Sequence, residues 1–272
     1  MRRHLPEVVA RLGAVLLVAF VAVPLWVVVV LSLDPVAGGG DSVGLWPRRV
    51  SLDNYRFLTS PVYGFYNALS HSLIVSAATT VVSLLVAIPA AYALGRLRVP
   101  GQARILAALI GLAFFPGVVI ELPLGILFAD NGLLDTLAGL AIAQLSFTVP
   151  LAVWFLAYAF RAVPREVEEA ALMDGAGVVA RITRVILPMA RAGLAGTTVL
   201  VFVASWNDFV FSGNLNRSRR SETLPVMISK LPDIGFLGGQ MAAAVLISLP
   251  VILVVAVLLR WLAGRGDRQG MA

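Results

Sequence analysis

The chain has few chemically reactive side chains: no cysteine, two histidines and one lysine among 272 residues. Without cysteine, disulfides, thiolate metal sites and thiol nucleophiles are excluded. An ATP-binding P-loop needs a lysine directly after a glycine, whereas Lys230 follows Ser229. The histidines, His4 and His71, form no HExxH motif, and no GxSxG motif occurs. The sequence therefore predicts no catalytic, cofactor-binding or metal site, which argues against an enzyme.

Charged residues are also scarce. They make up 13% of the chain, against about 25% in soluble domains, while hydrophobic residues make up 59%. Because one globular core cannot bury so many apolar side chains, lipid is the expected solvent for much of the surface. The net charge of +6 would suggest a nucleic-acid partner for a soluble chain. Here arginines in the loops on one membrane face explain it, and no nucleic-acid partner is expected.

Six apolar stretches are long enough to cross a bilayer, which takes about 20 residues. They cover roughly residues 12–33, 69–94, 103–129, 136–160, 192–211 and 240–262. The first is about twice as long as the apolar core of a secretory signal and predicts a retained signal-anchor helix. We expect an all-α, polytopic membrane protein with six transmembrane helices, in which residues 1–272 form a single transmembrane domain.

The distribution of arginine predicts the orientation. With the N-terminus in the cytoplasm, most of the 21 basic residues fall in inner segments. The short outer loop after the third span then carries Asp130 and Asp135 and no basic residue. The positive-inside rule therefore places both termini and the loop 161–191 in the cytoplasm, and the loop 34–68 outside. We expect a multi-pass protein of the cell inner (plasma) membrane.

The inner loop 161–191 contains a short helix signal. Pro164 suits the first turn of a helix, and the glutamates that follow suit its positive end. Gly175 and Gly177 predict a stop and a sharp turn. The small alanines of this helix would let it lie close against another protein, where a carboxylate pairs with an arginine. An ordinary solvated connector explains the same physical features, and they do not decide between the two.

The spacing of residues in this loop resembles the EAA loop of ABC importer permeases. Glu-Ala-Ala is followed after three residues by glycine, and after nine more by Val-x-Leu-Pro. The pattern is most similar to that of the MalG-type permeases of the carbohydrate-uptake family. The residues that carry the resemblance are Glu169, Ala170, Ala171, Asp174, Gly175, Leu187 and Pro188.

Weaker similarities to the same family cover nearly the whole chain. Trp206-Asn207-Asp208-Phe209 is similar to a Trp-Asn-Glu/Asp-Phe signature of the sugar permeases. Ala91-Tyr92-Ala93-Leu94 resembles the end of the second common helix. The loop departs from the family pattern at Val178, Ile182 and Ala192, which replace a common proline, an aromatic residue and a second proline.

The resemblance implies a permease subunit of an ATP-driven ABC importer that forms half of the pathway for a sugar or sugar-like solute. The implied partners are a second permease subunit, two ATP-binding subunits that hydrolyse the ATP, and an extracytoplasmic substrate-binding protein. The EAA helix would act as the coupling helix, seated in a cleft of one ATPase. No cofactor is implied for this chain.

Four residues in or near the spans are candidates for the solute pathway: Glu121, Trp206, Asn207 and Asp208. An acidic group in a bilayer costs roughly 2.5–3.5 kcal/mol at the centre of a span, so it needs a functional or structural reason. The polar side chains near Trp206 either border the cavity or lie at the membrane interface. As an alternative function, Glu121 and Asp208 would serve as proton relays in an ion-coupled secondary transporter.

Overall fold

The computed structural model describes residues 5–35, 46–216, 218–232 and 237–266, and within these ranges all regular structure is helical. The helices are α1 Leu5–Ser32, α2 Asp53–Leu58, α3 Phe65–Arg96, α4 Gln102–Ala113, α5 Gly117–Asp130, α6 Leu137–Arg161, α7 Arg165–Met173, α8 Val178–Arg181, a π-helix Ile182–Ile186, α9 Leu187–Met189, α10 Arg191–Trp206, α11 Val210–Leu215, α12 Leu224–Ser229 and α13 Leu237–Gly266.

The predicted all-α, multi-pass membrane architecture is confirmed. Five segments are long and apolar enough to cross a bilayer, and the pair α4 and α5 makes a sixth if it forms one bent span. The five segments are Arg11–Ser32, Phe65–Arg96, Leu137–Arg161, Arg191–Leu215 and Leu237–Ala263. The apolar side chains of α1 are mostly exposed, as expected of a helix whose surroundings are lipid or other subunits.

The stretch 103–129, expected as one span, is two helices that meet at an angle of 80°. The break lies at Phe114, Phe115 and Pro116, and Pro116 has an extended ψ of 113°. Proline lacks an N–H and disfavours the helical conformation of the residue before it, so the helix ends here. The stretch 192–211 is divided in a similar way, because α10 ends at Trp206 and α11 begins at Val210.

The described residues belong to two compact units. The first consists of Met1–Phe65 and Met227–Pro250. In this unit the Asn54 amide donates to the carbonyl oxygens of Ser32 and Asp34, each at 3.0 Å. A Cβ atom on Gly238 would lie 2.5 Å from the Asn54 amide nitrogen, so only glycine lets α13 begin this close to α2.

The second unit consists of Tyr66–Val226 and Val251–Ala272. Its inner core joins α3, α4, α6, the π-helix and α10 through small and aliphatic side chains. A Cβ on Gly95 would lie 2.8 Å from the Ala157 carbonyl oxygen, and one on Gly193 would lie 2.3 Å from the Ala159 Cβ. Glycine at both positions therefore brings α3 and α10 into close contact with α6, as is common between membrane helices.

Single cysteines will test the orientation, because the natural chain contains none. Met173, Arg98 and Asn131 are exposed and suit replacement by cysteine. We expect an impermeant maleimide to label position 131 in intact cells and positions 98 and 173 only after permeabilisation. Labelling of position 173 from outside would contradict the orientation. Labelling of 98 and 131 from the same side would make α4 and α5 a re-entrant pair instead of a span.

Candidate functional site

The loop 161–191 folds into the helix that its sequence predicts. Helix α7 starts after Pro164 and ends at Met173, and Gly175 follows with a positive φ of 80°. The Gly175 N–H donates to the Leu172 carbonyl and the Ala176 N–H to that of Ala171, which satisfies the last turn of the helix. Because φ is positive at this turn, a side chain at position 175 would strain the backbone.

Most of the predicted coupling residues lie close together in the loop, and their side chains are exposed to solvent. Glu169, Ala170, Asp174 and Gly175 are exposed, and Ala171 is half-buried. An open cleft of about 500 Å³ lies between α7 and α8. Its lining consists of Ala171, Asp174, Gly175, Ala176, Gly177, Ala180, Arg184 and Val185.

Leu187 and Pro188 lie apart from that cleft. Leu187 packs against the inner core, and Pro188 is exposed in the short helix α9. Beside the cleft, Met173 is 86% exposed and Val179 is 74% exposed.

One glutamate of α7 points inward, and the sequence analysis did not single it out. Glu168 is buried, although its neighbours in α7 are exposed. Its carboxylate accepts hydrogen bonds from the Tyr92 hydroxyl at 2.5 Å and from the Arg96 Nε at 2.7 Å. Arg181 Nη1 lies 3.7 Å from the same carboxylate. Glu168 thus joins α7 to α3 and to α8.

Arg96 makes further hydrogen bonds at the end of α6. Its Nη1 donates to the carbonyl oxygens of Phe160 at 3.2 Å and Val163 at 2.7 Å, and its Nη2 donates to that of Pro164 at 3.4 Å. Carbonyls at a helix C-terminus lack partners within the helix and carry partial negative charge, so a guanidinium is well suited to this place. The side chain of Arg96 is 3% exposed.

The surroundings keep Glu168 ionised at neutral pH. Burial raises the pKa of its carboxyl group, but hydrogen bonds from Tyr92 and Arg96 lower it. The positive charges of Arg96 and Arg181 lower it further, so the pKa lies below the ordinary value of 4.5. The contact between Glu168 and Arg96 is therefore a charged pair with a directed hydrogen bond.

Local sequence contained only part of this signal. Tyr92 and Arg96 are four residues apart, which places both on one face of α3. Glu168 and Glu169 are adjacent and about 100° apart around α7, so only one of them can face inward. Which of the two glutamates faces inward depends on how α7 packs against α3. That packing brings Glu168 to Arg96, which is 72 residues earlier in the chain.

The four pathway candidates lie in different surroundings. Trp206 is buried, and its ring stacks on Phe202 with centroids 5.7 Å apart. Asn207 is exposed, and its amide donates to the Val203 carbonyl. The Glu121 carboxylate accepts a hydrogen bond of 2.8 Å from the Asn214 amide, which joins α5 to α11.

Asp208 caps the first turn of α11. Its carboxylate accepts hydrogen bonds from the Phe211 N–H at 3.3 Å, the Ser212 N–H at 3.1 Å and the Ser212 hydroxyl at 2.9 Å. It also accepts one of 3.1 Å from the amide of Gln144 in α6. Asp208 therefore satisfies N–H groups that the break after α10 leaves without helical partners.

Gln144 extends this network across three helices. Besides Asp208, its side chain bonds Thr79 of α3 and Ser205 of α10. Polar side chains that hydrogen-bond to one another across membrane helices stabilise the packing of those helices. The network holds α3, α6 and α10 together beside the helix break.

A second open cleft, of about 340 Å³, lies at the breaks of the two divided spans. Asn207 and Asp208 line it together with Ser146 and four phenylalanines, whereas Glu121 and Trp206 do not. Two of the phenylalanines, Phe147 and Phe211, stack with centroids 5.9 Å apart. Among the described residues, no group of three or more histidine, aspartate and glutamate side chains is placed to hold a metal ion.

The inward contacts of Glu168 predict a large effect on stability. Glu168→Ala would leave Arg96 as a buried charge without its carboxylate, which typically costs about 3–5 kcal/mol. Glu166→Ala, an exposed position in the same turn, should change the free energy of unfolding by less than about 0.5 kcal/mol. Thermal unfolding of the purified protein in detergent measures both. Equal melting temperatures for the two variants would show that the contacts of Glu168 do not stabilise the fold.

The chain is similar to known transport proteins over most of its length. A family model described as binding-protein-dependent transport system inner membrane component matches residues 4–267. The trehalose transport system permease protein SugB of Mycobacterium tuberculosis is 32% identical over 249 residues, 90% of each chain. The trehalose/maltose transport system permease protein MalG of Thermococcus litoralis is 30% identical over 255 residues, 92% of this chain and 91% of MalG.

A solved structure supports the fold. It is the crystal structure of a bacterial ABC transporter involved in the import of the acidic polysaccharide alginate. The similarity has a TM-score of 0.76 and covers 96% of this chain and 98% of that chain at 22% identity. These findings confirm the identification made from the EAA spacing and speak against an enzyme or an ion-coupled secondary transporter. The chain belongs to the family of inner-membrane components of binding-protein-dependent transport systems, and within it to the MalG-type permeases of ABC importers.

Proposed function

We propose that this chain forms half of the translocation pathway of an ATP-driven importer for a sugar or sugar-like solute. We further propose that the exposed side of α7 couples it to an ATPase subunit. The division of α7 into two faces carries the proposal. Glu169, Ala170 and the cleft of small residues face outward, while Glu168 binds the transmembrane helices. An exposed concave surface attached this firmly to the spans suits the transfer of movement between proteins.

The partners follow from family membership and from the chain's own inventory. With no P-loop, the chain needs ATP-binding subunits, and we propose two of them on the cytoplasmic side. A second permease subunit would complete the pathway, and an extracytoplasmic binding protein would deliver the solute. This arrangement requires α7 in the cytoplasm, in agreement with the arginine distribution.

A sugar is the proposed class of solute because of the relatives and the second cleft. SugB and MalG are named for the transport of trehalose and of trehalose or maltose. Aromatic rings and an exposed amide line the cleft in this chain. Rings can lie against the apolar faces of sugars, and amides bond their hydroxyl groups. We assign solute contact to Asn207 and a supporting role to Asp208, whose oxygens cap α11.

Charge reversal at Glu169 tests the coupling surface. Glu169→Lys places a cation where an arginine of the ATPase is expected, and like charges across an interface cost several kcal/mol. Uptake of radiolabelled trehalose or maltose, whichever the wild-type transporter accepts, should fall by more than about tenfold. Glu166→Lys makes the same charge change three residues earlier in α7, at an exposed position that is not one of the predicted coupling residues, and should retain uptake.

The purified complexes separate coupling from assembly. Glu169→Lys should reduce copurification of the ATPase or its rate of ATP hydrolysis while this chain remains inserted in the membrane. Normal uptake in Glu169→Lys cells would mean that the loop is a connector and would refute the coupling role of this surface.

Two neighbouring substitutions test the pathway assignment. Asn207→Ala removes an exposed amide and should alter uptake without changing the melting temperature. Asp208→Ala removes a helix cap and should lower stability by about 0.5–2 kcal/mol, whereas Asp208→Asn retains capping ability and should lower it less. Unchanged uptake by Asn207→Ala, with normal expression, would contradict solute contact at this cleft.

A further inference from the structure

Helix α7 is connected to the transmembrane helices in two ways: through the chain itself, which leads to α10, and through the side chain of Glu168, which bonds to α3. The covalent route to α10 passes the turn at Gly175 and Gly177, the π-helix Ile182–Ile186 and a break at Ala190, where ψ is 15°. Short π-helical segments are uncommon and often lie at functional sites. This route contains three departures from a straight helix within about one helix length.

The route through Glu168 is direct. One side chain of α7 receives two hydrogen bonds from α3, at 2.5 Å and 2.7 Å, and both donors are buried or nearly so. The Glu168 side chain is 12% exposed and lines an open cleft with Arg96 and Arg181. Hydrogen bonds to a charged acceptor of this kind are stronger than those between neutral groups. Arg181 adds a contact from α8 on the same carboxylate.

The inner ends of α3 and α6 are themselves joined. Arg96 donates to carbonyl oxygens at the end of α6, and the Arg161 guanidinium donates to the Leu94 carbonyl at 3.1 Å in the opposite direction. Gly95 brings the two helix backbones into contact. Helices α7, α3 and α6 therefore meet in one block around Glu168 and Arg96.

We propose that Glu168 is a positioning residue that makes α7 and the inner ends of α3 and α6 move as one body when ATP binds to the partner ATPase. The inference rests on the proposed docking of an ATPase on α7, and it assigns a different task to each of two adjacent glutamates. Glu169 contacts the ATPase, and Glu168 transmits its movement to the membrane.

Spin-label distances test whether the block is rigid. The complete transporter carries labels on cysteines at Met173 and Arg98, or at Met173 and Asn131. Because Met173 lies on the exposed side of α7, only labelled complexes that keep wild-type uptake are measured, without nucleotide and with ATP, magnesium and vanadate. The 173–98 distance joins α7 to the segment after α3, whereas the 173–131 distance reaches the opposite end of the span. We expect the first to change by less than about 2 Å and the second by clearly more, up to about one helical turn of 5 Å.

Variants of Glu168 and Tyr92 show whether the Glu168 contacts keep the 173–98 distance constant. In Glu168→Gln, the 173–98 distribution should broaden and shift with ATP, whereas the exposed control Glu166→Gln should match the wild type. Tyr92→Phe removes one hydroxyl and should broaden the distribution less, so it provides the test if Glu168→Gln assembles poorly. Glu168→Asp keeps the charge but shortens the side chain by one methylene group, so its carboxylate should not reach both Tyr92 and Arg96. Its 173–98 distribution should therefore also broaden.

Three results would overturn the inference. One is a 173–98 distance that changes in the wild type as much as the 173–131 distance does. Another is a 173–98 distribution in both Glu168→Gln and Tyr92→Phe that is indistinguishable from the wild type. The third is an unchanged 173–131 distance in the wild type, which leaves the proposed function intact because a subunit that turns as a whole keeps its internal distances. If no ATPase copurifies with the wild-type chain, the proposed function fails and this inference fails with it.

Discussion

A peptide N–H group surrounded by lipid has no water to bond to, and each one left unpaired costs several kcal/mol. This constraint explains why the spans are helices, and it also explains the polar residues found where a span is interrupted. At Pro116 the missing N–H reduces the number of donors that need partners. At the other break, the Asp208 carboxylate takes the N–H groups of Phe211 and Ser212 and is itself held by Gln144. The second break is thus possible because a capping side chain stands next to it and a second helix anchors that side chain.

The features that sequence predicts well are those whose cause is local. Apolar length placed the spans, and the spacing from Glu169 to Pro188 identified the family, because both signals lie within a short window. The turn at Gly175 also follows from a local need for positive φ. The bend between α4 and α5 had its signal in Pro116, but the angle of 80° depends on packing that no window contains. Glu168 was missed because its partners, Tyr92 and Arg96, lie more than 70 residues away.

The two glutamates of α7 show why neighbours in sequence need not share a task. Glu168 is buried and accepts hydrogen bonds from two donors of α3, while Glu169 is exposed. A helix turns by about 100° per residue, so a single step separates the face toward the membrane helices from the face toward solvent. A short helix can in this way be fastened on one side and available for a partner on the other.

The contact between Glu121 and Asn214 has a consequence for how the protein is made. The two residues are 93 positions apart, so α5 leaves the ribosome well before its partner α11 exists. During that interval the carboxylate of Glu121 has no Asn214 amide to bond to, and water or the insertion machinery must surround it. A shorter delay, over 72 residues, separates Arg96 from Glu168. The polar residues of α3 and α5 therefore gain these partners only after later segments of the chain have been synthesised.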